Sequence, residues 1–417
     1  MHIFKYIRNF FHCYWLRRYI RSCQNGKTIK RLKKKFANGE RIKVLFLVTE
    51  TSRWKCQSLF DIMKESGIFE PCIGLFIQDF AANLPRKEQN KILDEVYTFF
   101  ETRGMPVVCA WDKESGRAKS LQELGCDIVF YQMPYNIAHE HSPSVVNKFA
   151  LTCYVPYFLP DYENPTLECK SFHRDLFRYY LLSEEHVADF TRMMVDVHGL
   201  DPKNMVAVGH PTIDSILSRK MDNSDAQLVI YAPHWSLSCM GDKASGESTS
   251  TFLELGERIL EYAKSHKEIK WAFKPHPTLA YALTCNGKTK EWVQNYYNEW
   301  ENFAACCYDG SYLDLFANSR ALITDCCSFQ MEYFYCNKPL IFLHSPLNVH
   351  KQRSPLSLAS KSFYTVRDFD TLEETFDNII IKGLDPNKEL RQELHNKLAP
   401  KTSSAKKIFD DFVCLLK

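Results

Sequence analysis

Short apolar runs alternate with segments of helical periodicity along most of the chain. The first run, IKVLFLV at residues 42–48, is apolar except for Lys43, which is typical of a strand buried on both faces of a sheet. Similar runs follow, and each predicts a strand: CIGLFI, VVCA, CDIVFY, MVAVGHP, LVIYAP, WAFKPHP, FAACCY, ALITD and PLIFL. Helical patterns between the runs end at Gly67, Gly104 and Gly125. Strands that alternate with helices predict parallel sheets covered by helices.

The alternation divides into two halves, which the polar stretch ILSRKMDNSDAQ separates. A chain of 417 residues exceeds the size of an ordinary single core. The sequence therefore predicts two doubly wound, Rossmann-like α/β domains at residues 44–218 and 226–380, with C-terminal helices at residues 381–417. The two domains are expected to face a central cleft that holds the ligand at the carboxyl ends of the strands. The segment Thr251-x-x-Glu254 predicts a helix start with a capping box.

Positive charge is concentrated in residues 1–43, which hold 13 lysines and arginines against the single acid Glu40, although the whole chain carries only +3. Apolar and aromatic residues recur among these charges at helical spacing: Ile3, Ile7, Phe10, Phe11, Tyr14 and Trp15. The pattern predicts a basic amphipathic helix that lies on an anionic membrane surface. A leader helix that packs on its own domain is the alternative. A nucleic-acid partner is disfavoured, because such an arm does not need the interleaved aromatic residues.

Several classes of protein are disfavoured by the absence of their sequence signatures. No run reaches the length of a membrane-spanning helix, and no cleavable signal is evident at the N-terminus. We therefore expect a cytoplasmic protein, peripheral on the inner face of the plasma membrane. The 16 cysteines form no CxxC pair, which predicts reduced thiols and no zinc site. Neither GxGxxG nor a P-loop occurs, so a dinucleotide oxidoreductase or an NTPase is poorly supported.

One segment, ALITDCCSFQMEYFYCNKPLIFL at residues 321–343, predicts a short helix between two buried strands. The start of such a helix offers free backbone N–H groups and a positive dipole end to an anion. Small residues such as Cys327 and Ser328 would let phosphate oxygens approach, and the Ser328 hydroxyl could donate. Asp325 suits a ligand hydroxyl or a helix cap better than it suits phosphate. An ordinary strand–helix turn with a capping aspartate is the alternative.

Three histidines follow other predicted strands. His210 lies in VGHP, His234 in YAPHW, and His276 in KPHP together with Lys274. The prolines prevent a helix from continuing and fix the backbone there. A lone histidine is usually structural or simply exposed, but three at strand ends point to one shared location, the interdomain cleft. The residues therefore predict an anion-binding site.

The segments VGHP, YAPHW, KPHP and TDCCS, in this order and spacing across roughly residues 180–345, resemble the motifs of the CDP-glycerol glycerophosphotransferase family. The resemblance implies a GT-B-like fold and transfer of glycerol phosphate, or a related polyol phosphate, from a CDP-linked donor with release of CMP. The acceptor would be a hydroxyl of a teichoic acid or capsule polymer, or of a lipid-linked glycan. His276 would serve catalysis, and the other matching residues would bind the donor: Lys274, Thr324, Asp325, Cys327, Ser328, His210 and His234. The resemblance implies no cofactor and no metal.

One departure concerns the catalytic base. Teichoic acid polymerases of this family carry a His-Gly-x-Pro segment, whereas the comparable stretch here, residues 153–157, reads CYVPY and has no histidine. His139 and His141 are the candidate replacements, although histidines on a polar loop are often only exposed. A metal site at His139, Glu140 and His141 would need a further ligand that the sequence does not identify.

Two alternative functions stay open. A GT-B glycosyltransferase that uses a nucleotide sugar would share the domain plan, and a non-catalytic nucleotide- or glycan-binding subunit of a polysaccharide assembly system would lack turnover. Within the favoured interpretation, the donor binds to the C-terminal half and the acceptor to the N-terminal half. The Ser- and Gly-rich stretch at residues 237–250 is expected to close over the donor or to be a disordered insertion.

Overall fold

The computed structural model describes most of the chain, and every structural statement below concerns these residues: 2–78, 81–159, 171–198, 201–221, 228–237, 249–308, 312–348 and 352–417. Backbone contacts divide them into two compact units. The first unit is drawn from residues 1–158, 165–214 and 402–417, and the second from residues 159–164 and 215–401. The predicted domain limits remain predictions.

The first unit contains, among its described residues, a sheet of seven parallel strands in the order β3-β2-β1-β6-β7-β8-β9, with β4 and β5 as a separate antiparallel pair. The strands are β1 Ile42–Val48, β2 Phe69–Leu75, β3 Val107–Cys109, β4 Trp111–Asp112, β5 Arg117–Ala118, β6 Ile128–Tyr131, β7 Leu151–Tyr154, β8 Arg178–Leu181 and β9 Met205–Ala207. β1 lies at the centre, where Val44 pairs with Pro71 of β2 on one side and with Ile128 of β6 on the other. Both faces of β1 are buried, as its apolar run predicts.

Helices cover this sheet: His2–Ala37, Gln57–Glu65, Arg86–Glu101, Pro143–Val146, Ser171–Arg174, Glu184–His198 and Ser404–Leu416. The C-terminal helix belongs to this unit, where Ile408 and Phe412 are buried in its core. The Asp214 carboxylate accepts the N–H groups of Ser404 and Ala405 at 2.9 and 2.8 Å and fixes the start of that helix. The helical pattern predicted to end at Gly125 was wrong, because the chain forms turns there after the short β4–β5 pair.

The second unit contains a sheet of six parallel strands within its described ranges, in the order β12-β11-β10-β13-β14-β15. The strands are β10 Leu228–Ala232, β11 Lys270–Phe273, β12 Ala305–Cys306, β13 Ala321–Thr324, β14 Leu340–Leu343 and β15 Tyr364–Val366. β10 lies at the centre between β11 and β13. The chain therefore reverses its winding direction at β10 and β13, which is the position where doubly wound sheets bind ligands.

Helices also cover the second sheet: Phe252–Ser265, Leu279–Cys285, Lys290–Glu301, Tyr312–Asn318, Cys327–Phe334, Leu356–Ala359, Phe369–Phe376 and Lys388–Leu398. The helix Pro211–Leu217 carries the chain from the first unit into the second. Aromatic rings fill the core, where Phe273 stacks on Trp300 with centroids 4.9 Å apart, and Tyr231 lies 5.8 Å from the same ring. This core supports the strands β10, β11 and β13, whose carboxyl ends precede the predicted anion-binding residues.

Several basic side chains of the N-terminal segment form ion pairs within the first unit. The buried Asp127 carboxylate pairs with Arg31 at 3.1 Å and with Lys35 at 2.7 Å, and it also accepts the N–H of Lys43. Arg18 pairs with Asp201 at 2.8 Å. The helix His2–Ala37 is thus fastened to the unit by ion pairs. None of the described helices combines the length and the apolar character that crossing a bilayer requires.

Candidate functional site

The predicted anion-binding residues of the second unit come together at the carboxyl edge of its sheet. Ala232 at the end of β10 pairs with Thr324 at the end of β13, and Tyr231 pairs with Phe273 at the end of β11. Two backbone hydrogen bonds extend the β10–β11 contact beyond the strands, because Lys274 N–H donates to Tyr231 and His276 N–H donates to Pro233. The segments that follow the three strands therefore begin side by side.

Asp325 is fully buried and links two of these segments. One carboxylate oxygen accepts the N–H of His234 at 2.6 Å. The other accepts the N–H of Thr251 at 2.6 Å, the Thr251 hydroxyl at 3.0 Å and the Ser250 hydroxyl at 3.2 Å. Burial raises the pKa of Asp325 to about 6, and the hydrogen bonds from Thr251 and His234 oppose that rise. Asp325 therefore holds the loop after β10 against the start of the Phe252–Ser265 helix.

Thr251 does not cap the helix in the way that the sequence predicted. Its side chain makes no capping hydrogen bond at the Phe252–Ser265 helix. The hydroxyl donates instead to Asp325, so the predicted capping box was wrong. Ser250 and Thr251 are site residues that the sequence interpretation missed, since a capping motif carries no signal for a partner 74 positions away along the chain.

Hydroxyl groups surround the His234 ring, which burial keeps neutral. Its Nδ1 lies 2.8 Å from the Ser236 hydroxyl and 3.1 Å from the Thr249 hydroxyl, and it accepts the N–H of Ser236. Burial lowers the pKa of His234 to about 4. Because Nδ1 accepts a hydrogen bond, the neutral ring carries its proton on Nε2.

His276 lies beside His234, with the two ring centroids 5.3 Å apart and the Trp235 ring 6.0 Å from that of His276. The Nδ1 of His276 accepts the N–H of Thr278 at 3.1 Å. Because Nδ1 accepts, the ring proton lies on Nε2, so the two histidines supply two N–H donors at adjacent strand ends. Neutral N–H donors of this kind suit phosphate oxygens.

Thr324 and Lys274 are buried at the same edge. The Thr324 hydroxyl donates to the carbonyl of Ala232 at 2.6 Å and accepts the N–H of Cys326 at 2.9 Å. It therefore fixes the turn after β13. The ammonium group of Lys274 lies 6.0 Å from the centre of the Tyr312 ring, in the range of a cation–π contact. Its burial places a positive charge in the same unit as the two histidines.

The Cys327–Phe334 helix begins directly after β13, as predicted. Cys327 and Ser328 occupy its first positions and are half-buried, and the Ser328 hydroxyl lies 3.4 Å from the Cys326 thiol. The first N–H groups of an α-helix have no partner within the helix, and helix starts bind anions for this reason. Further along, the buried Glu332 carboxylate accepts the Tyr312 hydroxyl. The sequence interpretation assigned no role to that pair.

The other predicted histidines lie in the first unit. His210 is buried, with its Nε2 2.7 Å from the Pro156 carbonyl, and its Nδ1 accepts the N–H of Thr212 at 3.2 Å. Burial lowers the pKa of His210 to about 4. His139 is exposed, whereas His141 is buried against Phe76 with its Nε2 2.9 Å from the Lys119 carbonyl. Burial lowers the pKa of His141. The predicted catalytic role of His139 and His141 stays a prediction.

Two further predictions concern the surroundings of the site. Most of the stretch at residues 237–250, predicted to close over the donor, lies outside the described residues, which include only Leu237 and residues 249–250. Within the described part of the chain, no group of three or more His, Cys, Asp or Glu side chains is arranged to hold a metal ion.

The comparison with protein families gives one match. Residues 163–366 match the family described as CDP-Glycerol:Poly(glycerophosphate) glycerophosphotransferase. The matched range contains all six strands of the second sheet and each predicted donor-binding residue, whereas His139 and His141 precede it. The comparison with curated proteins gives no match.

Solved structures resemble the chain over most of its length. The UDP-GlcNAc 2-epimerase of Neisseria meningitidis has a TM-score of 0.55 at 12% identity, with 89% of this chain and 100% of that chain covered. The UDP-GlcNAc 2-epimerase of Methanocaldococcus jannaschii has a TM-score of 0.56 at 14% identity, with 89% and 99% covered. The wall teichoic acid polymerase TagF has a TM-score of 0.54 at 12% identity, with 93% and 96% covered. At such low identity the likeness shows the fold alone, and it confirms the predicted GT-B-like α/β class.

Proposed function

We propose, from the match of residues 163–366 to the CDP-glycerol:poly(glycerophosphate) glycerophosphotransferase family, that the chain transfers glycerol phosphate from CDP-glycerol to a hydroxyl of a polymer acceptor, with release of CMP. The match supports the predicted family and enzyme class. The observation that carries the proposal is the pair of histidines, His234 and His276, at the ends of two adjacent strands inside the matched range.

The proposed reaction is a direct in-line displacement. The acceptor hydroxyl gives up its proton, and its oxygen attacks the phosphorus of CDP-glycerol that is distal to the cytidine and forms a new phosphodiester bond. The bond from that phosphorus to the bridging oxygen breaks, and the electron pair leaves with CMP. Negative charge grows on the bridging oxygen, so donors fixed in place beforehand supply most of the catalysis.

Each residue of the edge then has a distinct task. The Nε2–H groups of His234 and His276 donate to pyrophosphate oxygens, and the start of the Cys327–Phe334 helix receives the same group. Lys274 adds positive charge. Thr324 and Asp325 act as positioning residues, because their oxygens are engaged by protein donors and hold the loops that carry these groups.

The donor specificity is tested by the nucleotide that is released. Purified protein is incubated with CDP-glycerol, CDP-ribitol, UDP-glucose and UDP-GlcNAc in the presence of a glycerol phosphate trimer as acceptor, and nucleotides are separated by ion-exchange chromatography. We expect CMP from CDP-glycerol. Release of UDP from a nucleotide sugar would assign a glycosyltransferase instead, and silence with every donor would favour a non-catalytic binding subunit.

Association with a membrane is a second part of the proposal and concerns the helix His2–Ala37. Three apolar side chains on it are exposed, Leu16 at 50%, Tyr19 at 68% and Ile20 at 46%. In contrast, Arg21 and Leu32 on the same helix are buried. We place the exposed side chains on the anionic inner face of the plasma membrane, where lipid-linked acceptors are accessible.

Exposed lysines continue this face toward the end of the helix, at Lys27, Lys30 and Lys34. Each basic residue near an anionic surface contributes about 1 kcal/mol, so replacing all three by glutamine is expected to weaken vesicle binding on the order of 100-fold. Deleting the helix would be a poorer test, because it would leave the buried Asp127 without Arg31 and Lys35.

The test is co-sedimentation with vesicles of phosphatidylglycerol and phosphatidylcholine. A matched control replaces three exposed lysines elsewhere in the first unit, Lys87, Lys91 and Lys148, which should change binding less than threefold. Equal binding by the wild type and the Lys27, Lys30 and Lys34 variant would refute the membrane proposal.

A further inference from the structure

The first sheet has the same winding plan as the second, which places a second switch point between β1 and β6. In the second unit the equivalent point, between β10 and β13, carries Asp325 and the loop of His234. The loops that leave β1 and β6 at the carboxyl edge hold Glu50, Arg53 and Gln132. Crevices at such switch points are where doubly wound sheets bind ligands.

Hydrogen-bond donors outnumber good acceptors around this point. Arg53 and the Gln78 amide both donate to the sulfur of Met133, at 3.4 and 2.9 Å. The Gln78 amide also donates to the Thr49 hydroxyl at 3.4 Å, and Arg53 pairs with Glu50. The thioether itself is a weak acceptor that an oxygen ligand could replace. The Gln132 amide is 3% exposed; its oxygen accepts the N–H of Lys55 at 2.8 Å, while its Nε2 has no hydrogen-bond partner among the described residues. A buried donor without a partner is costly, which points to a ligand that supplies oxygen atoms.

Two tyrosines from neighbouring strand ends complete the cluster. The hydroxyls of Tyr135, after β6, and Tyr157, after β7, lie 2.5 Å apart. The Arg53 guanidinium lies 5.8 Å from the centre of the Tyr135 ring and 5.0 Å from that of Tyr157. Glu50 also forms an ion pair with Arg53. A guanidinium packed against aromatic rings loses less entropy when it binds a planar set of oxygens.

From these contacts we infer that Arg53, Gln78, Gln132, Tyr135 and Tyr157 form the acceptor site, which binds the phosphodiester and adjacent hydroxyls at the end of a polyol phosphate chain. The inference rests on the proposed function for its choice of acceptor. The guanidinium and the two amides donate to phosphate oxygens, and the Glu50 carboxylate accepts a chain hydroxyl. Tyr157 ends residues 153–157, the stretch comparable with the family's His-Gly-x-Pro segment.

The experiment measures binding of a soluble glycerol phosphate trimer to the full chain by isothermal titration calorimetry. We expect Arg53→Ala to raise the Kd of the trimer at least about tenfold, the usual scale for loss of a charge-assisted hydrogen bond. Gln132→Glu keeps the oxygen that accepts from Lys55 but removes the unpartnered NH₂ group and adds negative charge. It should raise the Kd by a similar factor, while the melting temperature stays within a few degrees of the wild type.

Arg103→Ala provides the matched control, because Arg103 also lies over an aromatic ring, that of Phe99 at 3.5 Å, but at the end of a surface helix. It should leave the Kd of the trimer within twofold. The Kd of CDP-glycerol is measured on the same variants and should not change with Arg53→Ala or Gln132→Glu.

The outcomes separate this inference from the proposed function. A wild type that binds CDP-glycerol but not the trimer overturns the acceptor site and leaves the donor assignment intact. If the wild type binds the trimer, Arg53→Ala weakens that binding, and the wild type releases no CMP, the result supports the acceptor site and counts against the proposed reaction. If Arg53→Ala weakens binding only to phosphatidylglycerol vesicles, the cluster recognises a lipid headgroup and the inference is wrong.

Discussion

Replacing His276 tests the assignment of the donor phosphates to the edge of the second sheet. In His276→Ala the Nε2–H donor is lost, and in His276→Gln an amide takes the place of the ring. If the imidazole donates to a phosphate oxygen whose charge rises in the transition state, the loss should lower turnover by about 100- to 1,000-fold, the scale measured for one such donor in other enzymes.

The structural cost of the same change is small. His276 is half-buried, and its Nδ1 accepts the N–H of Thr278, next to the short Leu279–Cys285 helix. Losing that bond costs about 1 kcal/mol, which shifts the melting temperature by about 2–4 °C in a domain of this size. His276→Ala should therefore lower turnover strongly while it changes the melting temperature by only a few degrees.

The assay compares CMP release from CDP-glycerol with the melting temperature of each variant. His266→Ala is the control, because His266 is also half-buried in the second unit but precedes β11 and packs on Tyr262, 4.0 Å between ring centres. It should keep turnover within about threefold of the wild type. The double variant His234→Gln and His276→Gln should lose less than the product of the single losses, because both rings serve one pyrophosphate. A His276→Ala protein with wild-type turnover would refute the assignment.

Two further predictions concern stability. Asp325→Asn should destabilise the protein by about 1–3 kcal/mol, because either amide orientation turns an NH₂ group toward the N–H of His234 or of Thr251. Urea unfolding of this variant is compared with that of Asp314→Asn, a change at an exposed carboxylate. An equal loss of stability in both variants would contradict the prediction. Burial lowers the pKa of His210 to about 4, so the unfolded chain binds a proton at this histidine more readily than the folded protein, and stability falls as the pH drops from 6.5 toward 4. His210→Gln should therefore remove about 2 kcal/mol of the difference in unfolding free energy between pH 7.5 and pH 5. An unchanged difference would show that His210 does not titrate in this way.

The strands that the sequence predicted are those with long continuous apolar runs. IKVLFLV and ALITD became β1 and β13 because a strand buried on both faces needs apolar side chains at every position. β8 was missed because its sequence, RYYL, begins with Arg178, which pairs with Asp411 of the C-terminal helix. That pairing partner is 233 positions away, so no local pattern reports it.

The site was predictable in part for a related reason. His234, His276 and Asp325 follow apolar runs directly, and the carboxyl ends of parallel strands meet at one edge, so strand assignment alone brings them together. Their partners Ser236, Ser250 and Thr251 come from loop segments without periodicity. The donor-rich cluster around Arg53 was also invisible, because it is defined by an unpartnered amide and a thioether contact.

Phosphorus NMR of the reaction tests the central claim most directly. Wild-type protein is mixed with CDP-glycerol and the glycerol phosphate trimer, and the spectrum is followed over time. The account predicts that the two pyrophosphate signals disappear together, replaced by the monoester signal of CMP and a new phosphodiester signal, because the bond between the distal phosphorus and the bridging oxygen breaks. A spectrum in which CDP accumulates with its pyrophosphate intact would show that glycerol had left without its phosphate and would contradict the account.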